Sequence, residues 1–160
     1  MKLACTYSHR GAAELLDAKG LRSEILAALA APNVIVSGHS TREIKDHVEA
    51  ALVKRGWAGP VSVEETCGLK VNHAKSDVVL QVQTANLARA YYDLMKMQAM
   101  FDASRAVCGV LIVPTAAASR VMGEGLTQFE RIQRELEAVF FAQVTIPVYL
   151  IAFEGDKNAL

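Results

Sequence analysis

The 160-residue sequence lacks most of the features that assign a chain to a class at first sight. Its three cysteines, Cys5, Cys67 and Cys108, show no CxxC spacing, so neither a disulfide framework nor a zinc site is predicted. No apolar run approaches the ~18 residues of a membrane-spanning helix, and the opening residues lack the apolar segment of a signal peptide. These absences favour a protein of the reducing cytoplasm with no membrane partner.

The chain also lacks an excess of positive or negative charge. The 17 basic residues are balanced by 17 acidic residues, so no bulk positive charge points to nucleic acid. Any DNA-binding hypothesis must therefore rest on a local site. No glycine-rich phosphate loop follows a predicted strand, which argues against the nucleotide-binding folds.

The composition is that of a folded domain. Hydrophobic residues make up 52% of the chain and charged residues 21%, which excludes a disordered or collagen-like chain. The length fits about one domain. Because no repeat, linker or low-complexity segment interrupts the chain, residues 1–160 are predicted to form a single domain.

The N-terminal third is predicted to be mainly helical. Apolar residues between positions 15 and 29 recur with a period close to 3.6, broken at Gly20. Residues 34–36 suggest a short strand. Ser40 and Glu43 have the spacing of a capping box, which predicts a helix that begins there and ends near Gly56.

The rest of the chain alternates between strands and helices. Period-two or continuous apolar patterns predict strands at 61–66, 68–72, 77–83, 106–113 and 144–153. Helices are predicted at 86–102 and 126–140, and a loop of small residues at 115–125. This order predicts an α/β fold, with a mixed β-sheet of about five strands flanked by α-helices.

One predicted strand carries polar side chains that its pattern does not explain. Gln81 and Gln83 share a face with Val79 on the strand at 77–83. By itself, each amide is compatible with a satisfied polar group near a sheet edge. Asn72, which precedes His73, is by itself compatible with a turn.

Residues 70–86, which contain these amides, resemble the active-site hairpin of the BglII family of type II restriction endonucleases. That family lies within the PD-(D/E)xK nuclease superfamily, whose members bind Mg²⁺ through an Asp on one strand and a Glu on the next. The residue two positions after the Glu is Lys in most of the superfamily and Gln in the BglII type. The pattern fits without a gap: Asn72 stands at the Asp, Gln81 at the Glu and Gln83 at the Gln, while Lys75 and Asn86 stand at two further motif positions.

The resemblance extends over most of the chain. Residues 7–16, 44–57, 108–115 and 144–153 resemble the opening segment, a helix, the central strand and the closing strand of the family, in the same order. It implies a restriction-endonuclease-like core that acts on double-stranded DNA as a homodimer, with each subunit addressing one strand. In an intact member, Mg²⁺ activates the water that attacks phosphorus and leaves a 5′-phosphate.

Both acidic positions of the family are amides here. Mg²⁺ is a hard cation that proteins hold through carboxylates, and Asn72 and Gln81 bring no net charge. The resemblance therefore implies a catalytic and metal-ligand role for these two positions but weak or absent Mg²⁺ binding and impaired cleavage. It further implies that Gln83 orients water or phosphate. We expect Lys75, Asn86 and Arg120 to contact DNA, although Lys75 alone also fits a solvated loop lysine.

Three explanations of the amides remain open. The chain is a natural relative that lost cleavage, or it carries Asp→Asn and Glu→Gln changes introduced to trap an uncut complex, or other carboxylates have taken over. The carboxylates considered are Glu64, Glu65 and Asp77. Two further functions also remain open, a non-catalytic DNA- or protein-binding member of this fold and a small α/β enzyme with an unrelated pocket.

Overall fold

The computed structural model describes residues 1–31 and 33–155. Pro32, which the helical pattern places at a helix end, lies outside the described residues. The elements, in chain order, are β1 (Lys2–His9), α1 (Ala12–Ala18), α2 (Arg22–Ala28), α3 (Thr41–Val53), β2 (Val61–Glu64), β3 (Leu69–Val71), β4 (His73–Lys75), β5 (Val78–Val82), α4 (Leu87–Asp102), β6 (Cys108–Pro114), α5 (Ala116–Met122), α6 (Phe129–Ala138) and β7 (Val148–Glu154).

The main sheet has five strands in the order β1-β7-β6-β5-β4. Strands β5, β6 and β7 run parallel, while β1 and β4 pair antiparallel at the two edges. The carboxyl ends of the three parallel strands therefore meet at one edge of the sheet, called the carboxyl edge below. Strands β2 and β3 form a separate two-stranded antiparallel sheet.

Helices cover both faces of the sheet, because the strand side chains that point to either face are apolar and are buried there. Leu80, Val110 and Ile151 belong to one core cluster, with side chains of α1, α2 and α3. The opposite cluster includes Val79 and Leu111, with α4, α6 and the β2–β3 hairpin. The expected mixed sheet of about five strands flanked by helices is confirmed.

Helix α4 lies very close to the centre of the sheet. A Cβ atom built on Gly109 of β6 would lie 2.7 Å from the Met97 Sδ of α4, so a side chain at this position would force the end of the Met97 side chain to move. The contact fixes α4 over the face of β5 and β6 that carries Val79 and Gln81. This placement determines which helix residues reach the strand ends.

Most of the predicted elements are present. The strands expected at 77–83 and 106–113 correspond to β5 and β6, and the helix expected at 86–102 corresponds to α4. The predicted strand at 144–153 begins only at Val148, after Pro147. The predicted helix at 126–140 is shorter, spanning Phe129–Ala138.

Two local predictions are wrong. Residues 34–36 show strand-like alternation of burial, yet they pair with no strand, because a period-two pattern records side-chain direction and not pairing. The expected loop at 115–125 contains α5. Thr115 caps that helix by accepting a hydrogen bond from the Ala118 N–H at 3.1 Å, and the following alanines are strong helix formers.

Two details of the N-terminal third also differ. Strand β1 has no apolar pattern because half of its residues are exposed at the sheet edge and only His9 is fully buried, and no sequence pattern predicted it. Helix α3 starts after Ser40 as predicted, but the expected capping box does not form. The Ser40 Oγ instead donates to the Ser37 carbonyl at 2.8 Å and accepts from the Ser37 N–H at 2.9 Å.

Within residues 1–31 and 33–155, none of the helices combines the length and the apolar character needed to cross a lipid bilayer.

Candidate active site

Asn72 and Gln81, which the resemblance places at the metal-ligand positions, face each other at the carboxyl edge. Asn72 precedes β4, and the antiparallel register of β4 with β5 sets it beside Gln81. The Asn72 Oδ1 accepts a hydrogen bond from the Val82 N–H at 3.0 Å, and the Asn72 N–H donates to the Gln81 Oε1 at 2.9 Å. Each amide is thus held by the backbone of the neighbouring strand.

Gln81 and Gln83 converge on a carboxylate from α4. Both side chains are buried, at 2% and 8% exposure, and lie on the same face of the extended segment. The Gln81 Nε2 donates to the Asp93 Oδ1 at 3.0 Å, and the Gln83 Nε2 donates to the Asp93 Oδ2 at 2.5 Å. The Gln83 Oε1 accepts from the Ala85 N–H at 2.8 Å.

Asp93 is itself paired with a cation. The Lys96 ammonium, one helical turn further along α4, lies 2.7 Å from the Asp93 Oδ1. It also donates to the Lys70 carbonyl at 2.9 Å and lies 5.5 Å from the centroid of the Tyr92 ring. The four side chains of Gln81, Gln83, Asp93 and Lys96, called the amide–carboxylate cluster below, therefore carry no net charge.

The sequence analysis did not identify Asp93 or Lys96. The signal that could have found Asp93 is its position on the buried stripe of α4, where it lies among Ala90, Leu94 and Met97. A carboxylate at such a position is uncommon unless it is paired. Lys96 follows at the i+3 spacing that brings two side chains together on a helix.

The donor set does not fit a magnesium ion. Mg²⁺ requires hard oxygen ligands and, in proteins, one or two carboxylates. Here both oxygens of Asp93 already accept hydrogen bonds, and the Lys96 ammonium neutralises its charge. Over the described part of the chain, no group of three or more His, Cys, Asp or Glu side chains is arranged to hold a metal ion.

A small cavity gives solvent access to this edge. It has a volume of about 80 Å³ and is lined by Lys45, Glu49, Pro60, Asn72, His73 and Val82. Burial lowers the pKa of the His73 imidazole, against the opposing effects of the Ala58 carbonyl and the Glu49 carboxylate. Glu49, on α3, is a carboxylate near Asn72 that sequence reasoning also missed.

The three carboxylates considered as replacements lie in other surroundings. Glu64 and Glu65 are exposed at the end of β2, where the Glu64 Oε1 accepts from Thr66. Asp77 stands at the amino end of β5, four residues before Gln81, and its carboxylate lies 2.7 Å from the Lys19 ammonium. None of these three carboxylates has a hydrogen bond to Asn72 or Gln81 among the described residues.

The three expected DNA contacts do not lie together. Asn86 is at the carboxyl edge and caps α4, since its Oδ1 accepts from the Arg89 N–H at 3.1 Å. Arg120 is exposed in the last turn of α5, which starts from the same edge. Lys75 is paired with Val78, at the opposite end of β5. All three DNA contacts stay predictions.

The Lys75 ammonium has partners within the protein. It donates to both carboxylate oxygens of Glu24, at 3.1 and 2.8 Å, and to the Arg55 carbonyl at 2.6 Å. Hydrogen bonding from Lys75 lowers the pKa of the Glu24 carboxyl below its ordinary value of 4.5. Trp57 Nε1 also donates to this carboxylate, so Lys75 ties β4 to α2 and to the end of α3.

The Lys75→Met variant is expected to lose about 1 kcal/mol of unfolding free energy at neutral pH. Because the pKa of Glu24 is lowered in the folded state, the stabilisation is fully present above 4.5 and is lost as the pH falls through the folded pKa. Urea unfolding across the acid range measures this difference. The exposed Lys54→Met control is expected to stay within about 0.5 kcal/mol of the unchanged protein. A loss that is independent of pH would contradict the ion-pair explanation.

Comparison with known proteins identifies the family. A family model described as restriction endonuclease BglII/BglIII matches residues 4–153. The crystal structure of restriction endonuclease BglII complexed with a DNA 16-mer superposes with a TM-score of 0.80 at 15% identity, covering 98% of this chain and 78% of that chain. The crystal structure of free BglII gives a TM-score of 0.71 at 15% identity, with coverage of 98% and 81%.

At this identity the two structures establish the fold, and the family model establishes the relationship. Comparison with curated protein sequences gives no match. The matched segment runs from β1 to β7 and includes the hairpin with Asn72 and Gln81. The chain therefore belongs to the BglII/BglIII restriction endonuclease family and has its fold.

Proposed function

We propose that this chain binds double-stranded DNA as a homodimer and that its Mg²⁺-dependent phosphodiester hydrolysis is impaired as the sequence stands. The observation that carries the proposal is the amide–carboxylate cluster, whose only carboxylate is neutralised by Lys96. Membership of the family supports DNA as the substrate class. One of the similar structures is BglII complexed with a DNA 16-mer.

The impairment follows from charge. A divalent cation is attracted to its site by the negative charge of its ligands, and the ion in turn stabilises the charge that develops on phosphate oxygens. Asn72 and Gln81 keep carbonyl oxygens at the family positions but supply no charge. The site therefore loses the electrostatic term that both holds the ion and assists the reaction.

Duplex binding is proposed to depend on a local positive site at the carboxyl edge, since the whole chain has no net charge. Arg120 is exposed on α5, and Asn86 lies on the loop that contacts the turn after α5, where Asn86 is bridged to Leu126. A guanidinium at such a place contacts phosphate, which positions the protein without reading sequence.

The test is duplex binding in the absence of divalent metal, measured by fluorescence anisotropy over a range of salt. The Arg120→Glu variant is expected to bind about tenfold more weakly and to show a salt slope reduced by about one. The Arg134→Glu variant, which makes the same charge change at an exposed position of α6, is the control and is expected to bind normally. Sedimentation of the complex tests whether two chains bind one duplex.

A second candidate function is a non-catalytic protein-binding subunit, which the balanced charge of the chain favours. The same titration separates the two. If the unchanged protein fails to bind duplex even at low salt, DNA binding is rejected and the protein-binding function takes its place. Equal losses in Arg120→Glu and Arg134→Glu would reject the carboxyl edge as the DNA-binding surface.

A further inference from the structure

The Lys96 ammonium occupies a setting made of hard oxygen atoms. It contacts the Asp93 Oδ1 at 2.7 Å and the Lys70 carbonyl oxygen at 2.9 Å, next to the face of the Tyr92 ring. Its side chain is 12% exposed and that of Asp93 is 7% exposed, so water contributes little to their solvation. Carboxylate and carbonyl oxygens are also the ligands that Mg²⁺ and Ca²⁺ prefer.

We propose that Lys96 is a built-in cation that keeps the amide–carboxylate cluster in a metal-free arrangement, and that removal of its charge converts the cluster into a divalent-cation site. The inference rests on the proposed function, in which the unchanged chain holds no Mg²⁺ at these positions. It adds a residue that controls metal occupancy from outside the family motif.

The charges of the cluster support this role. In the unchanged chain one carboxylate faces one ammonium, and the two glutamines orient their Nε2 atoms toward the carboxylate. Without Lys96, Asp93 is a buried carboxylate without a counter-charge, which costs several kcal/mol. A divalent ion next to the Asp93 Oδ1 and the Lys70 carbonyl restores the balance. The Gln81 and Gln83 oxygens stay on the Asn72 and Ala85 N–H groups, so the Asp93 carboxylate and the Lys70 carbonyl are the protein ligands of that ion.

Lys96 is a positioning residue in this proposal, because it acts through Asp93 and the two amides. A purely structural ion pair predicts only a loss of stability on removal of Lys96. Control of metal occupancy predicts in addition that divalent ions restore part of that stability and bind in the place of the ammonium. The response to metal therefore separates the two explanations.

The experiment compares the unchanged protein with Lys96→Met, using thermal unfolding with and without Mg²⁺. The metal-free Lys96→Met midpoint is expected to fall by roughly 10 °C. It is expected to recover by about 3–6 °C at a Mg²⁺ concentration roughly ten times the Kd. The unchanged protein and the exposed control Lys54→Met are expected to show no Mg²⁺ response.

A direct binding measurement uses Tb³⁺, an oxygen-preferring ion whose luminescence is excited through a nearby tyrosine. Lys96→Met is expected to give a saturable signal that disappears in Lys96→Met/Asp93→Asn. In Lys96→Met/Tyr92→Phe the luminescence is expected to fall while the Mg²⁺ shift persists, because Tyr92 lies beside the ammonium position. If Lys96→Met does not fold, Lys96→Gln, which removes the charge and keeps a donor, is judged by the same criteria.

The outcomes separate failure of the inference from failure of the proposed function. A Lys96 variant that responds to neither Mg²⁺ nor Tb³⁺, beside an equally unresponsive unchanged protein, overturns the inference and leaves the proposed function standing. An unchanged protein that gains stability from Mg²⁺ and also cuts DNA overturns the proposed function. Luminescence that survives Asp93→Asn overturns the assignment of the site to Asp93.

Discussion

The Asn72→Asp/Gln81→Glu double variant is expected to cut plasmid DNA with Mg²⁺ or Mn²⁺, under conditions in which the unchanged chain leaves it supercoiled. The two changes place carboxylates at the two positions that the resemblance predicts for the metal ligands, and hydrogen bonds already hold these positions together. With Asp93 and Lys96 present, three carboxylates then face one ammonium, so the site gains a net negative charge that attracts a divalent ion.

The geometry suits the restored side chains. An aspartate at 72 can still accept from the Val82 N–H, and a glutamate at 81 can still accept from the backbone N–H of residue 72. Only the hydrogen bond that the side chain at position 81 donates to Asp93 is lost, and a bound cation takes the place of that donor. Because a metal ion contributes several kcal/mol to transition-state stabilisation, cleavage is expected to rise at least about a hundredfold above background.

The two single variants serve as controls, and plasmid nicking measures the cleavage by each protein. Each outcome favours a different assignment of the ligands or of the function. If only the double variant cuts, the ligand assignment and the DNA-binding surface are both supported. If the unchanged chain cuts, the ligand assignment is wrong, and substitutions of Glu64, Glu65 and Asp77 identify the replacement. If neither the unchanged chain nor the double variant cuts, the family relationship describes the fold alone, and the non-catalytic binding function is favoured.

The second large effect is expected for Asp93→Ala, which is predicted to reduce the unfolding free energy by about 3–5 kcal/mol. The change leaves the Lys96 ammonium without its counter-charge and removes the acceptor of both Gln81 and Gln83. Uncompensated buried groups of this kind produce the largest losses seen for single substitutions.

Urea unfolding measures the loss, with Asp102→Ala as the matched control on α4. Asp102 is exposed and, among the residues that the structure describes, accepts a hydrogen bond only from the Gln98 side chain, so the loss on its replacement is expected to stay within about 0.5 kcal/mol. The Asp93→Asn variant keeps the shape of the side chain, and its loss of unfolding free energy is expected to lie between those of Asp93→Ala and Asp102→Ala. Equal losses for Asp93→Ala and Asp102→Ala would contradict a structural role for the cluster.

The elements that could be predicted from sequence are those with a strong local pattern. The alternation at 77–83 and the continuous apolar run of β6 follow from burial on one or two faces, and α4 follows from its period and its Asn86 cap. The edge strand β1 could not be found because half of its residues are exposed and it lacks such a pattern. Helix α5 was missed because its small residues also suit a loop.

The candidate site divides in the same way. By itself, the sequence singled out the amides at positions 72, 81 and 83, since these lie within one short segment whose spacing is readable. The strand that pairs with β5 is His73–Lys75 and not the predicted strand at 68–72, because that strand pairs with β2 instead. Only the tertiary structure decided that Asp93 and Lys96 complete the cluster. They lie on the next helix, and they reach Gln81 because α4 packs against the face of the sheet that carries this side chain. Contacts between separate elements are set by packing, which no local period records.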